Sequence, residues 1–136
     1  MKLQPYTFSS ETRTLVVSVE TLDPITYILR VKLYDKKKKQ LEDWQVTLLG
    51  FLKGVGINPL EGVKGNKGKK LTPFTFKGKE SVIVSAVPGF MIPKIRLDLR
   101  QGKKQITAWE TGILDLLTGL GLNFSFLKPY LKQFTS

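Results

Sequence analysis

The fold of this 136-residue chain is decided by two similar stretches, QLEDWQVTLLGFLKGVGIN at residues 40–58 and QITAWETGILDLLTGLGLN at residues 105–123. Laid over each other at a constant offset of 65, they share seven identities in nineteen positions, including Trp44 with Trp109. About one identity would arise by chance between unrelated stretches of this length. The sequence therefore predicts an internal repeat.

The similarity continues upstream with small gaps. Three earlier blocks occur in both halves in the same order: PYTF and PFTF from residues 5 and 73, LVVSV and VIVSA from residues 15 and 82, and RVKL and RLDL from residues 30 and 96. Chance similarity among short strands is the alternative explanation. The shared order favours a single domain of two repeats, at about 5–57 and 71–122, with a Gly/Lys linker at 59–70 and a tail at 123–136.

Each repeat is predicted to be a ββββα unit. Between Thr26 and Tyr34, apolar and polar residues alternate, which is the pattern of a half-buried strand. Apolar residues then recur at helical spacing, which predicts helices over 45–56 and 110–121 with Gly56 and Gly121 as stops. An alternative for the first helix is a strand that continues through residues 46–49. The predicted class is α+β, with antiparallel sheets packed on two apolar helices.

Both predicted helices are apolar around most of their circumference. Such a helix must be buried or must face another subunit. In so short a chain, this favours a homo-oligomer, with a tetramer suspected, that associates through the two helices. The alternative is that the sheets of one chain cover both helices completely.

Charge and composition limit the possible functions. The sequence has 22 Lys and Arg against 11 Asp and Glu, a formal net charge of +11, and it has neither Cys nor His. Thiolate, histidine and common zinc or iron chemistry are therefore excluded, and no carboxylates form a convergent catalytic pair. We expect a non-enzymatic protein without metal or cofactor, whose partner is a polyanion.

A tandem ββββα arrangement with a basic sheet face resembles the Whirly family of single-stranded-DNA-binding proteins. Lys77-Gly78-Lys79 matches the first three residues of a family Lys-Gly-Lys-Ala-Ala-Leu motif, but in the second repeat. Lys104-Gln105-Ile106, followed by Gly112-Ile113-Leu114, is similar to the family's strand-to-helix junction. The resemblance implies a cyclic tetramer with central helices, in which single strands lie between radiating sheets with their bases against aromatic and apolar side chains.

The candidate nucleic-acid-binding residues combine cations for phosphates with flat rings for bases. The aromatic candidates are Tyr6, Tyr34 and Phe76, although Phe76 and its counterpart Phe8 also suit the core. Trp44 and Trp109 are interpreted as core anchors. The cationic candidates are Arg30, Lys32, Lys77, Lys79, Lys94, Arg96 and Arg100.

The sequence thus predicts a largely sequence-independent binder of single-stranded nucleic acid, most simply DNA. A structural or adaptor module for a protein or an anionic membrane is the alternative, supported by the basic, aromatic segment 124–132. The run Lys36–Lys39 could add phosphate affinity or be merely solvated. Residues 1–5 open no apolar signal segment, so a cytoplasmic location, possibly at the nucleoid, is expected.

Overall fold

The computed structural model describes residues 3–23, 26–55, 73–87 and 94–122. These residues form a mixed α+β fold dominated by two antiparallel four-stranded sheets, and each sheet is followed by one short helix. Sheet 1 and α1 consist of β1 (Tyr6–Ser9), β2 (Arg13–Asp23), β3 (Thr26–Asp35), β4 (Gln40–Thr47) and α1 (Leu48–Val55). Sheet 2 and α2 consist of β5 (Phe74–Phe76), β6 (Ser81–Val87), β7 (Lys94–Gln101), β8 (Lys104–Gly112) and α2 (Ile113–Gly119).

The two sheets have the same strand order and the same register. Neighbours in sequence pair in both, as β1-β2-β3-β4 and as β5-β6-β7-β8. Three residues lie opposite one another on the first three strands of each sheet, and we call each set the matched row. The matched rows are Phe8, Leu15 and Leu33 in sheet 1, and Phe76, Val82 and Leu99 in sheet 2. In both sheets, the pairing of the third and fourth strands shifts register directly after the third residue of this row.

The loops between the last two strands of each sheet differ by one residue. In sheet 1, three residues separate Asp35 from Lys39, and Lys38 adopts a left-handed conformation with φ of 67°. In sheet 2, two residues separate Gln101 from Lys104, and the first of them, Gly102, has φ of 61°. Both are common hairpin geometries that need one residue at positive φ. The extra residue in sheet 1 accounts for one of the small gaps between the two halves of the sequence.

The alternation predicted for β3 is confirmed. Tyr27, Leu29, Val31 and Leu33 are all buried, whereas the residues between them are half-exposed. The buried side chains of both sheets and both helices form a single hydrophobic cluster. Neither sheet has a core of its own, because the apolar face of each is covered only in the presence of the other.

Both helices are shorter than predicted, because the strands before them are longer. The strand alternative was correct for Val46 and Thr47, and the Thr47 hydroxyl accepts a hydrogen bond of 3.0 Å from the Gly50 amide, as an N-cap does. The helical stop predicted at Gly121 is confirmed: its φ is 90°, and the Leu122 amide donates to the Leu117 carbonyl at 3.0 Å. Gly56, the linker at 59–70 and the tail at 123–136 lie outside the described residues.

Most of the described apolar side chains of the two helices are buried within one chain. In α1, Leu48, Phe51, Leu52 and Val55 are each at most 3% exposed. The buried residues of α2 are Ile113, Leu116 and Leu117. The core of one chain therefore covers these residues without a second subunit, whereas Leu114 is only partly buried. The predicted oligomer stays a prediction, which depends mainly on the family resemblance.

Two equivalent hydrogen bonds join the sheets. The Trp44 indole donates a hydrogen bond of 2.9 Å to the Lys77 carbonyl at the end of β5, and the Trp109 indole donates one of 3.1 Å to the Ser9 carbonyl at the end of β1. Both tryptophans are half-buried against the core, as predicted. Each sheet thus contributes one tryptophan to the other, in the manner of an approximate two-fold arrangement.

Each helix also makes an equivalent contact with the opposite sheet. Gly54 of α1 lies against the Phe74 ring of β5, and Gly119 of α2 lies against the Tyr6 ring of β1. A Cβ atom at either glycine would collide with that ring. These two glycines, which are identical in the two sequence stretches, are therefore explained by close approach between a helix and an aromatic side chain.

Candidate nucleic-acid interface

The outer face of sheet 1 carries Arg30 at its centre, but its guanidinium is already paired. It donates hydrogen bonds of 3.1 and 2.9 Å to the two carboxylate oxygens of Asp43, and a longer one of 3.5 Å to Glu20. These bonds raise the pKa of Arg30 and hold the pKa of Asp43 below its usual value. Arg30 is thus oriented along the sheet by two carboxylates, which compete with any phosphate that approaches it.

The outer face of sheet 2 differs at the equivalent place. Lys94 and Arg96 lie two residues apart on the exposed face of β7. Their Cα atoms are therefore about 6.6 Å apart along the strand. Within the described residues, no carboxylate lies within 4.0 Å of either cationic group. Glu110 is opposite Arg96 in the register but does not pair with it. These two cations are available to an anionic ligand.

Arg100 continues the row on β7 and is partly engaged. Its Nε and Nη2 atoms lie 3.1 and 3.0 Å from Oδ2 of Asp98, and Nη1 donates to the Lys103 carbonyl at 3.4 Å. The other oxygen, Oδ1, is buried and has no hydrogen-bond partner among the described residues. Among the described residues, Asp98 therefore balances the charge of Arg100 and not that of Lys94 or Arg96.

Lys77 and Lys79 lie outside the strands, in the bend between β5 and β6. Both side chains are exposed. The bend is held by Glu42 of β4, which lies against Gly78 and accepts a hydrogen bond of 3.3 Å from the Glu80 amide. The Lys-Gly-Lys segment is thus a connection anchored to sheet 1 and lies on no strand.

The three aromatic candidates occupy different environments. Tyr34 is half-exposed on the outer face of sheet 1, beside the β3–β4 hairpin. Tyr6 is half-buried under Gly119, with its hydroxyl 3.4 Å from that of Thr111. Phe76 is only 5% exposed and packs its ring against Trp44, Phe51 and Phe74. The core therefore already covers the ring of Phe76.

Sequence reasoning missed the ion pair that joins the two sheets. Arg13 of β2 donates hydrogen bonds of 2.7 and 3.0 Å to the two oxygens of Glu80, which is only 7% exposed. Each residue precedes the matched row of its own sheet by two positions, so the pair joins equivalent points. A signal was present, because opposite charges occupy matching positions of the repeat.

No family model matches the chain, and no curated protein matches it significantly. In the part of the chain that the structure describes, no helix has the length and apolar character needed to cross a membrane. Those same residues contain no group of three or more acidic side chains that could hold a metal ion.

Proposed function

We propose that this protein binds single-stranded nucleic acid, most simply DNA, without reading its sequence, and that the outer face of sheet 2 is the principal contact surface. The observation that carries the proposal is the exposed, unpaired state of Lys94 and Arg96 on one strand face. Arg100, Lys103 and Lys104 extend this cationic row to the β7–β8 hairpin. A row of cations along a flat sheet is suited to a flexible phosphate backbone.

The arrangement of the helices favours a single strand over a duplex. Duplex readers commonly insert an α-helix into the major groove. Here α1 and α2 are short, and most of their described apolar residues are buried in the core that the two sheets share. What the described residues present to solvent is sheet surface and hairpins, on which an unpaired strand can lie with its phosphates on the cations.

The matching order and register of the two sheets also support a common origin by duplication. The reciprocal tryptophan and glycine contacts have the same meaning, because both relate equivalent positions. Our proposal includes the resemblance to the Whirly family and the homo-oligomer that this resemblance implies. A structural or adaptor role has no comparable support among the described contacts.

The test is a fluorescence-anisotropy titration of labelled single-stranded and double-stranded oligonucleotides at several salt concentrations. Each phosphate contact to a single strand contributes about 0.7 to the slope of log K against log salt, which is about fivefold in affinity at 0.1 M salt. The variant Lys94→Gln/Arg96→Gln should therefore bind about 25-fold more weakly at 0.1 M salt, with a slope smaller by about 1.4.

The matched control is Arg30→Gln/Lys32→Gln, which removes two cations from the equivalent face of sheet 1. We expect it to lose less affinity than the sheet 2 variant, because Arg30 is already paired with Asp43 and Glu20. Equal losses of affinity in both variants would show that binding depends on the net charge of the chain and not on the outer face of sheet 2. Equal and weak binding to single and double strands would remove the proposed function and favour the adaptor role.

A further inference from the structure

A cleft lies at the end of sheet 1, between the β1–β2 turn and the lysine hairpin, by which we mean residues 35–39. Its volume is about 380 Å³, and its lining includes Tyr34, Lys36 and Lys38 together with Glu11. Small-molecule sites typically occupy about 300–1,000 Å³ and combine an apolar surface with a few polar groups. The cleft is therefore large enough for one nucleotide.

Two of the charged groups around the cleft are already used by the protein. Asp35 accepts hydrogen bonds of 2.8 and 2.9 Å from the amides of Lys37 and Lys39, which fixes the shape of the hairpin. Arg13 is committed to Glu80 of sheet 2 through two hydrogen bonds. Neither side chain is free to give its full charge to a ligand, but both hold the walls of the cleft in place.

The remaining cations are Lys36 and Lys38. Both are exposed, and neither has an ion-pair partner within 4.0 Å among the residues that the structure describes. Lys38 is the residue at positive φ in the hairpin, so the turn itself directs its backbone. Two ammonium groups on a short, well-defined turn are suited to the non-bridging oxygens of one phosphate group.

Tyr34 supplies the flat surface beside these cations. It lies on the outer face of β3, half-exposed, opposite Thr14 in the register. No aromatic ring covers it among the described contacts. At the equivalent position sheet 2 has Arg100, so the combination of a ring and two free lysines belongs to sheet 1 alone within the described residues.

We propose that this cleft binds one nucleoside monophosphate unit, with the phosphate on Lys36 and Lys38 and the base against the Tyr34 ring. The proposal rests on the proposed function in that the unit is part of a bound strand, although a free nucleotide has the same chemistry. Glu11, which is exposed at the cleft and has no ion-pair partner among the described residues, is placed to accept a hydrogen bond from the sugar or from a base amino group.

The first experiment follows amide chemical shifts of the ¹⁵N-labelled full chain during titrations with adenosine monophosphate, adenosine and inorganic phosphate. We expect shifts centred on residues 10–14 and 34–38, and binding of the monophosphate at least about tenfold tighter than that of either fragment, because base stacking and phosphate contacts add. Equal affinity for the monophosphate and for phosphate alone would overturn the proposal.

Substitutions then separate the two contacts. Tyr34→Leu should weaken monophosphate binding about tenfold and leave phosphate binding unchanged. Lys36→Gln/Lys38→Gln should reduce the monophosphate to the affinity of adenosine. The matched control, Lys37→Gln/Lys39→Gln, removes two exposed lysines of the same hairpin that do not line the cleft, and should bind the monophosphate as the unmodified chain does. An equal loss in the control, or no loss with Tyr34→Leu, would refute a site in this cleft.

Oligonucleotide binding distinguishes the failure of this inference from the failure of the proposed function. A strand affinity that falls with both Lys94→Gln/Arg96→Gln and Tyr34→Leu supports a strand unit in the cleft. Monophosphate binding at the cleft with no oligonucleotide affinity supports a site for free nucleotides and refutes the proposed function. Oligonucleotide binding without any response to the cleft variants retains the proposed function and refutes the cleft.

Discussion

Sheet 1 and sheet 2 have the same strand order and register but different chemistry on their outer faces. Arg30 and Arg96 occupy equivalent positions, three residues before Leu33 in β3 and three residues before Leu99 in β7. Arg30 is held by two carboxylates, whereas Arg96 has none within 4.0 Å among the described residues. The presence of an arginine therefore says little about its availability to a ligand, which is decided by residues on the neighbouring strands.

The register identifies the residues responsible for this difference. Asp43 of β4 corresponds to Ala108 of β8, because they pair with Lys32 and Asp98, which are themselves equivalent. Glu20 of β2 corresponds in the same way to Val87 of β6, opposite Ile28 and Lys94. The two acidic partners of Arg30 are thus replaced by apolar residues in sheet 2. The same scaffold therefore has a neutralised cation on one face and a free cation on the other.

The largest expected effect concerns the equivalent positions that bind each other, Arg13 and Glu80. Arg13→Ala leaves the Glu80 carboxylate buried without its partner and should lower the free energy of unfolding by about 3 kcal/mol. Glu80→Ala leaves Arg13 able to turn toward solvent, so we expect a smaller loss of about 1 kcal/mol. Urea denaturation of both variants measures the difference.

The double variant Arg13→Ala/Glu80→Ala controls this experiment. It should be close in stability to Glu80→Ala, because the cost of the unpaired carboxylate disappears with it. Equal stability of Arg13→Ala and Glu80→Ala would contradict the explanation that a buried, unpaired Glu80 carboxylate causes the larger loss.

A second prediction exchanges the acidic partner between the faces. Asp43→Ala should release Arg30 and raise single-strand affinity by about fivefold at 0.1 M salt, the value of one added phosphate contact. Ala108→Asp should provide Arg96 with a carboxylate and lower affinity by a similar factor, and the nearby Asp98 adds to the repulsion of phosphate. Anisotropy titrations of both variants check the pair of effects, and changes in the same direction would contradict it.

Much of this fold could be predicted from the sequence. Alternation marked β3 because its buried residues face a single core, and the paired stretches indicated equivalent strands and helices. The start of the first helix was misplaced because Val46 and Thr47, which are both β-branched, suit either a strand end or a helix start. Thr47 resolves the ambiguity as an N-cap, because its hydroxyl bonds to the Gly50 amide.

The candidate site was less predictable, because it depends on pairing across strands. The sequence placed Arg30 and Arg96 on one face of their strands but carried no direct sign that Asp43 and Glu20 reach Arg30. The cleft beside Tyr34 forms between two turns that are more than twenty residues apart in the chain. The alternation along one strand predicts the face of the sheet on which a residue lies, but it does not identify the residue's neighbours on adjacent strands.

A third prediction compares the two hairpins and has a smaller effect. Lys38→Gly should raise the free energy of unfolding by about 0.5 kcal/mol, because glycine adopts positive φ without a Cβ conflict. Gly102→Ala should lower it by about 1 kcal/mol for the opposite reason. Apart from its two chain neighbours, no atom of the described residues lies within 4 Å of a Cβ placed at Gly102, so the cost of the alanine comes from backbone conformation. Denaturation midpoints measure both changes, and a stabilising Gly102→Ala would contradict the explanation.

The smallest expected effect is the acid sensitivity of sheet 1. The Arg30 guanidinium holds the pKa of Asp43 below its usual value of 3.8. A carboxyl group with a lowered pKa in the folded state contributes its stabilisation above pH 3.8, and this contribution is lost as the pH falls through the folded-state value. Asp43→Asn should therefore be less stable than the unmodified chain at pH 7, and the difference should shrink as the pH falls below 3.8. Ala108→Asn, at the equivalent position of sheet 2, should show no such narrowing, since it removes no titrating group. Urea midpoints of the three proteins at pH 7 and pH 3 measure this, and a difference that grows in acid would show that the Arg30–Asp43 pair does not stabilise sheet 1.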